Sequence, residues 1–363
     1  VIAYCTNVHP APDLAGILAQ LDRYAVRVRE ALAVDTLPLG LWLPAPVAHG
    51  LAEDATARRD LRAELTSRGL TVSTLNAFPY GDFHDEVVKH AVYFPTWTDP
   101  RRLRYTTDCA TVLADLLPDS AAYGSISTLP LSWREPWTLR DQGSATEALT
   151  ELTRFLRTEA DRHGRPIRLA VEPEPGCVLD TVADAVGWLA GRVDPDLIGI
   201  CLDTCHLAVS FADPVEAVES IRAAGLSVVK VQASAALEVA APGTPEGRRA
   251  IALYSEPRYL HQVRENAPDG VLAADDLPEA FESLPAEHPW RVHFHVPLHA
   301  VPPAPLTSTT DVLVAAVAAV DPGTHVEVET YTWTVLPGAG DLADGIAAEL
   351  RWARQHLKTG VAA

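Results

Sequence analysis

Three short stretches of this chain follow one pattern. IRLAVEPEPG (167–176) runs through apolar residues, reaches Glu172 and stops on Pro173 and Pro175. IGICLDTCH (198–206) reaches Asp203, and HVEVETYTW (325–333) reaches Glu327 and Glu329. A short apolar run bounded by turn signals reads as a buried strand, and one that ends on an acid delivers that acid to the carboxyl edge of a sheet. Strand-like runs recur at 3–8, 39–44, 70–78, 124–131, 167–173, 198–203, 227–232, 291–298 and 325–333. Between most of them lie stretches with helical period. LAGILAQLDRYAVRVREAL (14–32) puts Leu14, Ile17, Leu18, Leu21 and Ala25 on one face. Asp99-Pro100 and Asp213-Pro214 read as helix starts, with an acid at the cap and proline in the first turn. Alternating strands and helices call for a parallel sheet, and about eight units with no break between halves predict an α/β chain closed into a (β/α)8 TIM barrel. No G-x-G-x-x-G follows a strand, so a dinucleotide-binding fold lacks its fingerprint.

Nine strand candidates are one too many for such a barrel. The surplus lies near 227–298, where the segment 238–290 is rich in proline, glycine and charge. It reads as an insertion within a single domain spanning 1–363. At 363 residues and 48% hydrophobic the chain can bury a large core. It contains no run of about 18 uncharged apolar residues, so no membrane insertion is expected. VIAYCTNVHP has no basic n-region and reads as a strand rather than a signal peptide. The net charge of −19 is unbroken by any basic stripe, which argues against nucleic acid as a partner. The cysteines Cys5, Cys109, Cys177, Cys201 and Cys205 are odd in number and irregular in spacing. That argues for a reducing, cytoplasmic setting over a disulfide framework. Cys201 and Cys205 flank Asp203, but one Cys-x3-Cys without a second pair is a weak zinc signal.

Barrel sites form at the carboxyl ends of strands, where acids far apart in sequence converge. Glu172, Asp203, His206, Gln232, His293, His295, Glu327 and Glu329 all occupy late positions in predicted strands. Crowded carboxylates repel, and a divalent ion such as Mn²⁺, Mg²⁺, Co²⁺ or Zn²⁺ removes that cost. His293 and His295 alternate, so they share a face; so do Glu327 with Glu329, and Lys230 with Gln232. Glu329 is nearer the barrel mouth than Glu327. Taken singly, each of these is more often a solvated loop acid or a satisfied core histidine. Late acids on three strands together with a D-x-x-H pattern point to a functional centre. His9, His84 and Trp133 belong to other strand-end loops and are candidates to line its pocket. The segment 76–97, with six aromatic residues, is either a water-excluding lid or an aromatic-packed structural loop.

At LAVEPEPG, GICLDTCH and VEVETYTW the chain resembles the xylose isomerase-like TIM barrels, the superfamily of sugar isomerases, ketose epimerases and endonuclease IV. The resemblance implies one divalent metal held by Glu172, Asp203 and Glu329, with His206 beside metal or substrate. Where that superfamily carries a seventh-strand histidine this sequence has Gln232, so either Gln232 or a histidine after the insertion completes the set; His295 is preferred as the later of the two. YCTNVHP, NAFPYGDFH, VYFPTWTDPRRLRYT, GSISTLPLSW, KVQASAAL, WRVHFHVPL and VETYTWTVLP are similar to the metabolite-traffic protein EboE family over nearly the whole chain. The resemblance implies an isomerase- or epimerase-like protein acting on a small sugar- or cyclitol-like metabolite. Glu172 and Glu329 would be its acid and base, His206 would hold a substrate hydroxyl, and His9, His84, Trp133, Lys230 and His293 would contact substrate. A metal-dependent phosphoester hydrolase and a non-catalytic metabolite carrier are the alternatives. Assembly into a homo-oligomer is left open.

Overall fold

In the computed structural model, residues 2–81 and 85–358 are described. Eight parallel strands close into a barrel: β1 (Ile2–Cys5), β2 (Leu37–Trp42), β3 (Leu70–Asn76), β4 (Gly124–Thr128), β5 (Ile167–Val171), β6 (Ile198–Asp203), β7 (Val228–Ala233) and, after a long excursion, a last strand at His325–Val328. The excursion carries a second sheet with strands β8 (Leu237–Val239), β9 (Val263–Ala267), β10 (Gly270–Ala274), β11 (Trp290–Val292) and β12 (Leu306–Ser308). The last barrel strand is therefore β13, and it closes the ring by pairing with both β1 and β7. The second sheet is antiparallel, in the order β10-β9-β11-β8-β12. Its strands reach beyond 238–290 on both sides.

The surplus strand candidate explains itself here. Of the run 291–298 only Arg291 and Val292 pair in a ladder, and they belong to the second sheet. Beyond them the chain stays extended but leaves the sheet: His293 N–H donates to the Gln262 carbonyl and Val296 N–H to the Ala235 carbonyl. Alternation survives without the ladder. Phe294 turns away to pack edge-on against Tyr254, at 5.1 Å between ring centroids, which sends His293 and His295 the other way.

Local chemistry accounts for the helices that wrap the barrel. Asp99 caps the helix Pro100–Leu116 by accepting from Arg101 N–H, and Asp213 caps Pro214–Ala223 by accepting from Val215 and Glu216 N–H. The segment 14–31 is helical throughout, but a π turn at Leu21–Ala25 interrupts it. Its inner face is Ile17, Leu21, Ala25 and Val28, all buried, with Leu14 and Leu18 at the margin. No helix among the described residues is long and apolar enough to cross a membrane.

Gly40 on β2 has a specific task inside the barrel. A Cβ there would fall 1.6 Å from the Glu327 carboxylate, so the absent side chain is the niche that Glu327 fills. In that niche Glu327 forms an ion pair with Lys230, both fully buried, and Lys230 Nζ also donates to Ser127 Oγ at 3.2 Å. Burial opposes charge on Lys230, but the facing Glu327 prevails and holds the ammonium above its ordinary pKa.

Candidate active site

One layer above that pair, at the carboxyl ends of the strands, three carboxylates meet. Glu172 directly follows β5, and its N–H donates to the Thr128 carbonyl at the end of β4. Asp203 ends β6 and at once caps the short helix Thr204–Val209; its Oδ1 accepts from His206 N–H at 2.9 Å and from Ser234 Oγ at 2.8 Å. The D-x-x-H pattern is thus a capped helical turn that stands His206 beside its own Asp. Glu329 follows β13, and its Oε1 accepts from Asn7 Nδ2 at 2.6 Å and Asn76 Nδ2 at 2.8 Å. One oxygen from each of Glu172, Asp203 and Glu329 lies within 4.8 Å of the others, and all three residues are buried.

Their charges are only partly compensated, by Lys230 from the layer below. Glu172 Oε2 and Asp203 Oδ2 are buried without a hydrogen-bond partner, as are both amide atoms of Gln232, which pairs in register with Asp203. Burial, then the charges of Glu329 and Asp203, pushes Glu172 far above the usual carboxylate range. Burial, then Asp203 and Glu327, pushes Glu329 up as well. Buried polar atoms are rarely left unpaired, and three converging carboxylates with orphaned oxygens fit a divalent cation.

Three imidazoles complete this polar floor, and each is oriented in the same way. His206 Nδ1 lies 2.8 Å from the Pro173 carbonyl and His295 Nδ1 lies 2.7 Å from the Glu329 carbonyl. His293 Nδ1 lies 2.7 Å from Gln262 Oε1. The amide of Gln262 is itself fixed, because its Nε2 donates to the Pro175 carbonyl. Those oxygens only accept, so in each neutral ring Nδ1 carries the proton and Nε2 turns a lone pair inward. His295 Nε2 has no hydrogen-bond partner and stands 3.8 Å from Asp203 Oδ2. Burial lowers the pKa of His295 to about 4, against the pull of Asp203, and lowers His293 well below the ordinary value.

A cleft with ≈ 540 Å³ of empty space opens over this floor. Asn7, Asn76, Glu172, Glu174, His206, His293, His295 and Glu329 line its polar end; Phe78, Val88, Val92, Tyr93, Tyr259, Leu260 and Tyr331 line the rest. Arg102 stiffens one wall from behind. Fully buried, it donates to the carbonyls of Ala77, Phe78 and Pro95 and so holds the loop after β3 in place. Among the described residues Lys89 is the one Lys or Arg in the lining, and it is ion-paired with Asp276.

Glu172, Asp203, His206, His293, His295 and Glu329 come together on this floor. Gln232 lies buried just beneath. Lys230 does not reach the cleft; it is spent on Glu327 in the layer below. His9 sits elsewhere, stacked on Tyr24 at 5.0 Å and hydrogen-bonded to Tyr4 Oη at 3.1 Å, lining a small separate recess. Trp133 stands behind the wall, against Tyr93 and over Gly176, where a Cβ would lie 2.3 Å from its ring. His84 lies outside the described residues. Cys201 and Cys205 share no metal-competent group: Cys201 packs with Ala170 and Val229, while Cys205 groups with His293 and His295.

Several contributors escaped sequence reasoning. Asn76 ends β3 at the same late position as the acids, so the strand-end rule had the means to find it. Glu174, the second acid of EPEPG, accepts from Tyr93 Oη at 2.6 Å. Asn7 and Tyr331 lie in short 3-10 turns and Gln262 in a loop, and none carried a spacing signal.

No family model matches the chain, and no curated protein does. Solved structures do. An IolI protein with a bound zinc atom is 13% identical, with 100% of this chain and 99% of that one covered, at a TM-score of 0.52. A D-psicose 3-epimerase solved in the presence of D-fructose is 14% identical, covering 98% and 99%, at 0.52. A xylose isomerase-like TIM barrel protein from Mycobacterium smegmatis in complex with magnesium is 15% identical, covering 98% and 97%, at 0.51. These likenesses establish the fold as a xylose isomerase-like TIM barrel.

Proposed function

We propose that this protein is a metal-dependent isomerase or epimerase of a small sugar- or cyclitol-like metabolite. The observation that carries the reading is the buried Glu172–Asp203–Glu329 triad with its orphaned oxygens at the head of a small-molecule cleft. The solved structures of similar fold support it: one carries zinc, one carries magnesium, and one is an epimerase seen with a ketose.

Glu172, Asp203, Glu329 and His295 would hold one divalent ion such as Mn²⁺, Mg²⁺, Co²⁺ or Zn²⁺, with Gln232 beneath them. Such an ion supplies Lewis acidity toward a substrate carbonyl and its neighbouring hydroxyl. The residues do the rest. Glu172 and Glu329 follow different strands, β5 and β13, which are not neighbours in the ring. One removes the proton from the carbon beside the carbonyl, and the other, already protonated, returns a proton to the opposite face or the adjacent carbon. Asn7 and Asn76 fix the Glu329 carboxylate in place, and His206 Nε2 accepts from a substrate hydroxyl. The apolar walls keep water from the carbanion-like species. Lys89 is engaged with Asp276 and the floor is acidic, so an uncharged polyol fits better than a phosphoester. The sequence resemblance to the metabolite-traffic EboE family makes cyclitols and related polyols the first substrates to try. All five cysteines are buried free thiols, in keeping with a cytoplasmic setting.

The test is solvent deuterium uptake. Protein loaded with Mn²⁺ or Co²⁺ is incubated with a panel of ketoses and keto-cyclitols in D2O and followed by NMR. Exchange at a carbon beside a carbonyl is expected, lowered roughly 10²- to 10⁴-fold in Glu172→Gln and in Glu329→Gln. Undiminished exchange in both variants sinks the acid–base assignment. Tight binding of a panel member with no exchange would instead make the protein a carrier.

A further inference from the structure

The second sheet has two edges, and only one of them is guarded against another strand. At one end β12 is three residues long and follows Pro302, Pro303 and Pro305, which have no N–H to offer a partner. At the other end β10 runs Gly270–Ala274 with neither a charge nor a proline. Its first four residues are exposed, and Val271 and Leu272 are among the large apolar side chains that the protein leaves in solvent. Edges of this kind are usually blunted by charge, proline or a bulge, and β10 has none of these.

Register decides which backbone groups face outward. Asn266 N–H donates to the Pro289 carbonyl, so Asn266 and, two residues before it, Arg264 turn their backbone groups toward β11. Their cross-strand partners on β10 are Val271 and Ala273. Opposed residues that do not bond each other point away from one another, so Val271 and Ala273 turn N–H and C=O to the open edge. Among the described strands β10 has no neighbour on that side. These groups are complementary to a copy of themselves. A two-fold axis at Leu272 sets Val271 of one copy against Ala273 of the other, which closes four hydrogen bonds and brings the two Leu272 side chains face to face. An axis at Val271 or at Ala273 keeps only two bonds within the strand. The flanking charges match as well. The axis at Leu272 places Asp269 opposite Asp275 of the second copy, and Asp275 already holds Arg134 in an ion pair, so a cation stands where the two acids meet.

We infer that β10 pairs antiparallel with β10 of a second copy of this chain, about an axis at Leu272, and joins two five-stranded sheets into one continuous sheet. Main-chain hydrogen bonds carry such strand addition, and the side chains set its register. Four hydrogen bonds and one leucine pair make a small contact, so the dimer belongs to the weak, micromolar class.

The test is sedimentation velocity of the full-length protein from micromolar to submillimolar concentration. A monomer–dimer equilibrium is expected. Leu272→Lys puts like charges on the axis, and Ala273→Pro removes one outward N–H without touching the β9 ladder; each weakens the dimer at least tenfold. Cross-linking reads the register. Opposed residues that do not bond each other have Cα atoms about 4.5 Å apart, within disulfide reach. The five native cysteines are all buried, so they give no background. Leu272→Cys should therefore yield a disulfide-linked dimer with diamide, while Val215→Cys, comparably exposed in the first turn of Pro214–Ala223, should not. Circular dichroism confirms that each variant is folded, and Leu272→Lys, at an exposed position, carries the test should Ala273→Pro fail to fold. A protein that stays monomeric throughout overturns the pairing. So does a dimer that Leu272→Lys leaves intact, which places the contact on another surface. Cross-linking of Leu272→Cys no greater than that of Val215→Cys overturns it whatever the dimer constant.

Discussion

Glu327 and Glu329 stand two residues apart at the end of one strand, and the protein treats their charges in opposite ways. Glu327 points into the lower barrel, where Gly40 leaves it a niche and Lys230 meets it. Glu329 points into the upper layer, where Glu172 and Asp203 crowd it and, among the described residues, no Lys or Arg forms an ion pair with it; Lys230 acts on it only from the layer below. Two neutral asparagines steady it without neutralising it. The same kind of residue is a closed ion pair below and a crowded, unpaired carboxylate above. Charge balance, more than residue type, separates a barrel's filler from its site.

The strongest way to break this contrast is to open the lower pair. Glu327→Gln strands a buried ammonium, so we expect a loss of about 3–5 kcal/mol in denaturant unfolding. Metal-free Glu172→Gln in the upper layer should stay within about 1 kcal/mol of wild type, because burial and the neighbouring carboxylates outweigh the attraction of Lys230 for its charge. Equal costs for the two variants would erase the distinction. The next largest effect belongs to metal. An ion at 100 times its dissociation constant should stabilise the wild type by about 2.7 kcal/mol, read as a rise in Tm, and Glu172→Gln/Asp203→Asn should lose most of that rise. Glu327→Gln should keep it.

A pH experiment sharpens the lower side. His325, in register with Lys230, stacks on Tyr123 at 4.1 Å, and burial together with Lys230 pushes its pKa down to about 3. The fold prefers the neutral ring, so its contribution is complete above about pH 6.5, the unfolded value, and is lost progressively as pH falls toward 3. His325→Gln should flatten that part of the acid-stability curve; an unchanged curve would show that the ring titrates freely. The smallest effect is expected from Lys230→Met/Glu327→Leu, which removes both charges and should lie within about 1 kcal/mol of wild type.

Much of the barrel is legible in the sequence because strand period and helix caps are local. Asp99-Pro100 and Asp213-Pro214 start helices where their chemistry requires. Glu172, Asp203 and Glu329 could be picked out because strand ends in a parallel barrel share one rim. His293 and His295 look like strand residues in the sequence, since alternation is the same in a ladder and in an extended loop pinned by Phe294. Whether Lys230 faced substrate or a counterion depended on Gly40, nearly two hundred residues away. His9 carried no mark to separate it from the histidines that converge. The imidazole tautomers rest on the carbonyls of Pro173 and Glu329 and on Gln262, whose directions exist only after folding.

The grip of Asn7 on Glu329 spans 322 positions of sequence. It can form only when β13 has slotted between β1 and β7, so the upper layer is completed by contacts of high sequence separation. Contacts of that kind form late and slowly, because their loop-closure entropy precedes any reward. A growing polypeptide, with Glu172 and Asp203 already made, still lacks the third acid and both loop histidines. Ion capture should therefore be a property of the finished ring, and acquisition of the metal a readout of the last step of folding.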